Sequence, residues 1–130
     1  MDLDDIKVTE IMTKKIYSVS PTDKIGSSDI FMVRNGIGSL LVVENDKLIG
    51  ILTNGDIIRN RNTAGVIHKT VGDLMTKKPL IIPPDTSLKS AIKLMVTHSV
   101  EHIPVVDSSG KPIGLIGHTH IFRAILEKLK

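Results

Sequence analysis

At 130 residues the chain can bury one sizeable core, or two small ones, without covalent staples. It has no cysteine, which excludes a disulfide framework and a thiolate metal site. Its net charge of +3 permits phosphorylated small molecules or nucleic acid as partners and demands neither. No apolar run approaches the roughly 18 residues a membrane span needs. The acidic start Met1-Asp2-Leu3-Asp4-Asp5 lacks the apolar core of a signal peptide, so a cytoplasmic, soluble protein is expected. Tyr17, Phe31 and Phe122 are the only aromatic residues, too few for the stacking platforms that bind single-stranded nucleic acid.

In chain order, a short amphipathic helical turn ends near Met12, and Ile16–Val19 reads as extended. Pro21-Thr22-Asp23 supplies N-cap candidates for a helix whose start is weakened by Gly26-Ser27-Ser28. Ser39–Val43 and Lys47–Leu52 read as strands joined at the Asn45-Asp46 turn. A helix runs from Asp56 to about Asn60, and a polar stretch follows to Thr70. The pattern then repeats. Val8-Thr9-Glu10-Ile11-Met12-Thr13-Lys14-Lys15 recurs as Val71-Gly72-Asp73-Leu74-Met75-Thr76-Lys77-Lys78, 63 residues on. Leu80–Ile82 matches the extended segment, Pro84-Asp85-Thr86 the cap, and Leu88, Ile92, Met95 and Val96 one face of the helix. Ile103–Val106 and Pro112–Ile116 match the strands, and Ile121–Leu129 the closing helix. The expected organisation is α/β (α+β): one repeat over 1–62, a linker over 63–70, and a second repeat over 71–130. Each reads helix, strand, helix, strand, strand, helix, and neither buries much alone. They are expected to pack sheet to sheet about a pseudo-twofold.

The most informative stretch is Gly50-Ile51-Leu52-Thr53-Asn54-Gly55-Asp56. One reading is local: Thr-x-x-Asp before an apolar helical face is a capping box. The other is chemical. A strand turning into a helix aims free N–H groups outward and favours an anion. The Thr53 hydroxyl can add a donor to a phosphate, and the Asp56 carboxylate can accept two hydrogen bonds from a ribose diol. The stretch alone leaves both open.

Taken together, the Met-Thr before each first strand, the proline before each helix, His102-Ile103-Pro104-Val105-Val106-Asp107 and Gly50–Asp56 resemble a tandem pair of cystathionine-beta-synthase (CBS) domains, a Bateman module. The resemblance covers about Val8 to Glu127. It implies a non-catalytic regulatory sensor that binds AMP, ADP, ATP or S-adenosylmethionine in clefts between the repeats, commonly as a homodimer, with a separate effector protein and no obligatory cofactor. It implies that Asp56 holds the ribose hydroxyls, that Thr53 holds ribose or phosphate with Asn54 beside it, and that Ile51, Pro79, Leu80, Ile81, His102 and Ile103 complete that cleft. The second copy departs from the pattern. In Gly114-Leu115-Ile116-Gly117-His118-Thr119-His120, glycine replaces the hydroxyl and His120 the carboxylate. A second cleft with Ile16, Tyr17, Gly38, Ser39 and His120 is therefore expected to be empty, or weak and pH-sensitive, since neutral imidazole accepts one hydrogen bond.

His118-Thr119-His120 without a nearby carboxylate is a poor metal motif, and a polar helix start explains it better. Lys14-Lys15, Lys77-Lys78, Arg59 and Arg61 are candidates for phosphate attraction or ordinary solvated charge. No nucleophile elbow, Walker loop or paired catalytic carboxylates appear, so no enzymatic activity is expected. The alternatives are a ligand-free dimerisation or protein-interaction module and, behind it, nucleic-acid binding through the lysine pairs.

Overall fold

The computed structural model describes residues 2–129. They form two compact units. One takes the chain up to Ile16 and resumes at Leu80; the other is Tyr17–Pro79.

In the Tyr17–Pro79 unit, β1 (Ser18–Val19) lies parallel to β2 (Ser39–Glu44). β2 pairs antiparallel with β3 (Lys47–Thr53), and β3 with β4 (Thr76–Lys77). The sheet order is β1-β2-β3-β4. Asn45 and Asp46 both take the left-handed conformation, φ 53° and 64°, as a two-residue hairpin of the primed type requires. Leu40, Val42 and Leu52 enter a core with Ile25 and Met32 of helix α1 (Ile25–Asn35). Helix α2 (Asn54–Arg59) follows β3 directly, and helix α3 (Val71–Leu74) leads into β4.

In the other unit, helix α4 (Leu88–His98), strands β5 (His102–Val106) and β6 (Pro112–Gly117) and helix α5 (His118–Lys128) repeat the order. β5 and β6 form an antiparallel pair, and Leu88, Ala91, Met95, Ile103, Val105, Ile116 and Ile121 share its core. Both hairpins slip register at the same place, between Val42 and Val43 and between Val105 and Val106.

The two copies trade their leading segments. Val8, in a 3-10 turn over Val8–Glu10, is wholly buried in the core that holds Leu88 and Ile103. Val71 is wholly buried in the core that holds Ile25 and Leu52. Matching bonds fasten them: Val8 N–H donates to the Thr86 carbonyl at 2.9 Å, and Val71 N–H to the Asp23 carbonyl at 2.8 Å. Thr13 bridges to Leu115, and Thr76 pairs with Ile51. A glycine receives each methionine. A Cβ at Gly50 would fall on Met75 Sδ and 2.9 Å from the Thr76 carbonyl, and one at Gly114 would fall on Met12 Sδ. The sequence repeats and the compact units thus divide the chain at different residues.

Several local expectations change. The segment Ile16–Val19 is reduced to the two residues of β1. Leu80–Ile82 forms no strand; a single parallel bridge joins Ile82 to Val105, with the Ile82 N–H donating to the Pro104 carbonyl at 3.1 Å and the Val106 N–H to the Ile82 carbonyl at 3.0 Å, and prolines at 79, 83 and 84 bracket the segment. Helix α1 forms in full from Ile25 despite its glycine and serines. Gly26 passes close to the Ile67 carbonyl, 3.2 Å from where a Cβ would stand. The residues read as a linker hold a 3-10 turn, Val66–His68, and the Lys69 carbonyl accepts the Ile25 N–H at 2.9 Å. Helix α5 begins at His118, so His118-Thr119-His120 is the expected polar helix start, three residues ahead of the Ile121 bound.

Candidate functional site

Thr53, the last residue of β3, is the N-cap of α2. Its hydroxyl accepts the Asp56 N–H at 3.2 Å. Asp56 Oδ2 in return accepts the Thr53 N–H at 2.9 Å and the Thr53 hydroxyl at 3.1 Å. The capping box is therefore built. Asp56 Oδ1 accepts from Nη2 of Arg59 one turn on, an ion pair in which the carboxylate side chain is 5% exposed and the guanidinium side chain 69%. The Asn60 side chain donates to the Asp56 carbonyl at 2.7 Å. Asp56 is thus a buried carboxylate held on one oxygen by its own cap and on the other by a solvent-facing cation.

The hydroxyl of Thr53 is turned inward, donating to Asp56, rather than standing free for a phosphate. The Asn54 N–H donates to the Gly38 carbonyl at 3.0 Å, so this amide too has a partner. The six-residue α2 offers little of the outward N–H array that the sequence allowed.

Around this junction the structure gathers Ile51, Thr53, Asn54 and Asp56, with Ser39 opposite Thr53 in the ladder and Gly38 beside it. Ile51 and Ser39 are buried and Asn54 is exposed. Tyr17 stacks edge-on against Phe31 at 5.4 Å between ring centroids. Pro79 closes the same unit. Leu80, Ile81, His102 and Ile103 belong to the other unit, as do Ile16 and His120. Ile81 is exposed, while the Ile103 side chain is wholly buried in its own core and lines no surface.

The second junction repeats the first with different atoms. The Gly117 N–H donates to Nδ1 of His120 at 2.9 Å, the counterpart of Thr53 N–H on Asp56. The imidazole is therefore unprotonated at Nδ1 and supplies the N3 half of a capping box at the start of α5. Burial pushes its pKa down, and the Arg123 charge pushes it further. His102 faces Gly117 across the ladder and is half-buried. Its pKa is lowered chiefly by burial; Glu101 opposes the shift, and His118 and His120 add to it. No three histidine or acidic side chains among the described residues are placed to share a metal ion.

Two features escaped the sequence reading. The first is the Asp56–Arg59 pair, which an Asp-x-x-Arg spacing on one helix would have signalled. The second is an apolar groove of about 450 Å³ between α4 and α5, lined by Ile92, Met95, Val96, Ile121, Phe122 and Ile125. The exposed Val96 and Phe122 gave its signal, as apolar residues on the outer faces of amphipathic helices. No helix among the described residues is long and apolar enough to cross a membrane.

The CBS domain family profile matches the chain twice, over residues 8–62 and 71–127. The crystal structure of CBSX2 in complex with AMP is similar over 96% of this chain and 99% of that one, with a TM-score of 0.88 and 27% identity. An uncharacterised 17.7 kDa protein of Acidianus ambivalens is 30% identical over 93% of this chain and 74% of its own length. The inosine-5'-monophosphate dehydrogenase of Methanocaldococcus jannaschii is 34% identical over 95% of this chain, which spans only 24% of that enzyme.

Proposed function

The chain belongs to the CBS-domain family as a tandem pair, and on that premise we propose that it is a non-catalytic regulatory module that binds an adenosine ligand: AMP, ADP, ATP or S-adenosylmethionine. The observation that supports this reading is Asp56. A carboxylate this buried, with one oxygen held only by a solvent-facing arginine, can exchange that partner for sugar hydroxyls. The AMP complex of CBSX2 supports the ligand class. In this reading Asp56 takes the ribose diol, and Thr53 fixes the Asp56 rotamer from within the cap. Ile51 and Asn54 flank them, and Pro79, Leu80, Ile81, His102 and the backbone of Ile103 are the remaining ligand residues. His120 cannot take the Asp56 role, because its one acceptor lone pair is used by Gly117. One good site per chain follows, with any binding at the second junction weak. A second copy of the chain is the proposed partner, with a separate effector protein downstream.

Thermal denaturation with each of the four ligands tests the reading. At a hundredfold excess over Kd, a ligand that binds the folded state stabilises it by about 2.7 kcal/mol. That is several degrees at this size, and Asp56→Ala should abolish the shift. If no ligand moves the wild-type transition, or if Asp56→Ala keeps the shift, the reading fails.

The full engagement of Asp56 within its own unit favours a second reading, a dimerisation module with no small-molecule ligand. It predicts a dimer by light scattering and a transition indifferent to all four ligands.

A further inference from the structure

We propose that Arg59 selects among adenosine ligands, favouring those with a 5′-phosphate over those without one. The inference rests on Asp56 being the ribose-binding carboxylate. Asp56 Oδ2 already accepts two hydrogen bonds, from the Thr53 N–H at 2.9 Å and the Thr53 hydroxyl at 3.1 Å. A carboxylate oxygen has two lone-pair positions, so Oδ2 is full. A ribose diol brings two O–H donors and must place both on Oδ1, where Nη2 of Arg59 already donates. One of the two side chains must give way. Asp56 is 5% exposed and fixed by its cap, whereas Arg59 is 69% exposed. Arg59 therefore leaves.

The geometry of α2 makes this exchange available. The guanidinium folds back over Gly55, where a Cβ would stand 3.1 Å from Nη1. Glycine at 55 thus lets Arg59 lie on the first turn, close to any group attached to a sugar held by Asp56. Once displaced, the guanidinium is left with whatever the ligand offers. A 5′-phosphate supplies planar, bidentate acceptors and replaces the lost carboxylate. A bare 5′-hydroxyl leaves Arg59 to water, so the ligand bears the whole loss of the Asp56–Arg59 pair. A 5′-sulfonium meets a like charge, which is worse. In the empty site Arg59 competes with every ligand; in the filled site it rewards only the anionic ones.

The test is isothermal titration calorimetry of the full chain with AMP and with adenosine, which share base and diol and differ at the 5′ position. Wild type, Arg59→Gln and Arg59→Lys are compared, with thermal denaturation confirming that each variant is folded. The wild type is expected to prefer AMP. In Arg59→Gln that preference should fall by roughly tenfold, the size of one charge-assisted hydrogen bond, while adenosine binds as well as before or better because its competitor has gone. Arg59→Lys should recover part of the preference. An unchanged ratio in Arg59→Gln, or equal weakening of both ligands, overturns the selectivity role while leaving the adenosine site standing. A wild type that binds neither ligand overturns the site itself, and the inference with it.

Discussion

Stability between about pH 7.5 and about pH 5 should follow the cap on α5, because that cap is a histidine. His120 accepts the Gly117 N–H through Nδ1, which it can do only while that nitrogen is unprotonated. Its pKa in the folded chain lies below the ordinary 6.5, pushed down by burial and then by Arg123. The sign follows from linkage. Below pH 6.5 the unfolded chain takes up a proton before the folded chain does, so folding is progressively disfavoured. The stabilisation is complete above 6.5, declines as pH falls toward the folded value, and levels off beneath it. His102, also lowered chiefly by burial, acts in the same direction, with Glu101 opposing and His118 and His120 reinforcing. Asp73 and Asp107 sit below their ordinary 3.8, so their contribution is lost only at lower pH, outside this window. The lost Gly117–His120 hydrogen bond sets the size, a net cost of about 1 kcal/mol. A cation beside the positive end of a helix adds about 0.5 kcal/mol. Together these amount to about 5 °C of melting temperature for a chain of this length. Thermal denaturation by circular dichroism across the pH range measures it. His120→Asn keeps an acceptor for Gly117 without titrating, and should remove most of the slope and leave the share of His102. If His120→Asn loses as many degrees as the wild type, the cap is not what titrates.

Two further outcomes follow from the traded segments. Gly114→Ala places a methyl on Met12 Sδ and should destabilise by about 1–3 kcal/mol, the usual cost of overpacking; a melting temperature equal to wild type would show that Met12 moves aside freely. The fragment 17–79, which keeps Val71, Met75 and Thr76 with the sheet they complete, should fold with more protected amides in hydrogen exchange than the fragment 1–62, which lacks them. A cooperative melt for 1–62 and none for 17–79 would refute the assignment of α3 and β4 to that core.

The duplication was legible because the copies share chemistry at matching positions: Met12 and Met75, Thr13 and Thr76, and the Gly50 and Gly114 motifs. The hairpins were legible as well, since apolar β-branched runs flank Asn45-Asp46 and Ser108-Ser109-Gly110. The trade of leading segments was not. Val8 and Val71 are the same residue in the same local pattern, so either would fit either core, and nothing local says which. β4 was hidden for a related reason. Thr76-Lys77 has no strand periodicity of its own and pairs only because α3 delivers it to the edge of β3. The polar start of α5 at His118-Thr119-His120 was legible, but its cap was not, because Gly117 has no side chain to cap with. The acceptor comes from His120 three residues on, a role more familiar in glutamate or aspartate.

At the two strand-to-helix junctions the copies keep one architecture and reverse its polarity. Asp56 and His120 stand at the same step of the repeat and receive the same backbone N–H, from Thr53 and from Gly117, at 2.9 Å in both cases. After that bond the carboxylate still has a second oxygen that can only accept. The imidazole has spent its lone pair, and its remaining nitrogen can only donate. A sugar diol, which offers two donors, suits the first junction and finds no acceptor at the second. The capping role explains why both positions hold an acceptor at all; what each side chain has left over decides whether it can also serve a ligand. Histidine in place of aspartate thus preserves the helix start, leaves no acceptor for a diol, and makes that start sensitive to pH.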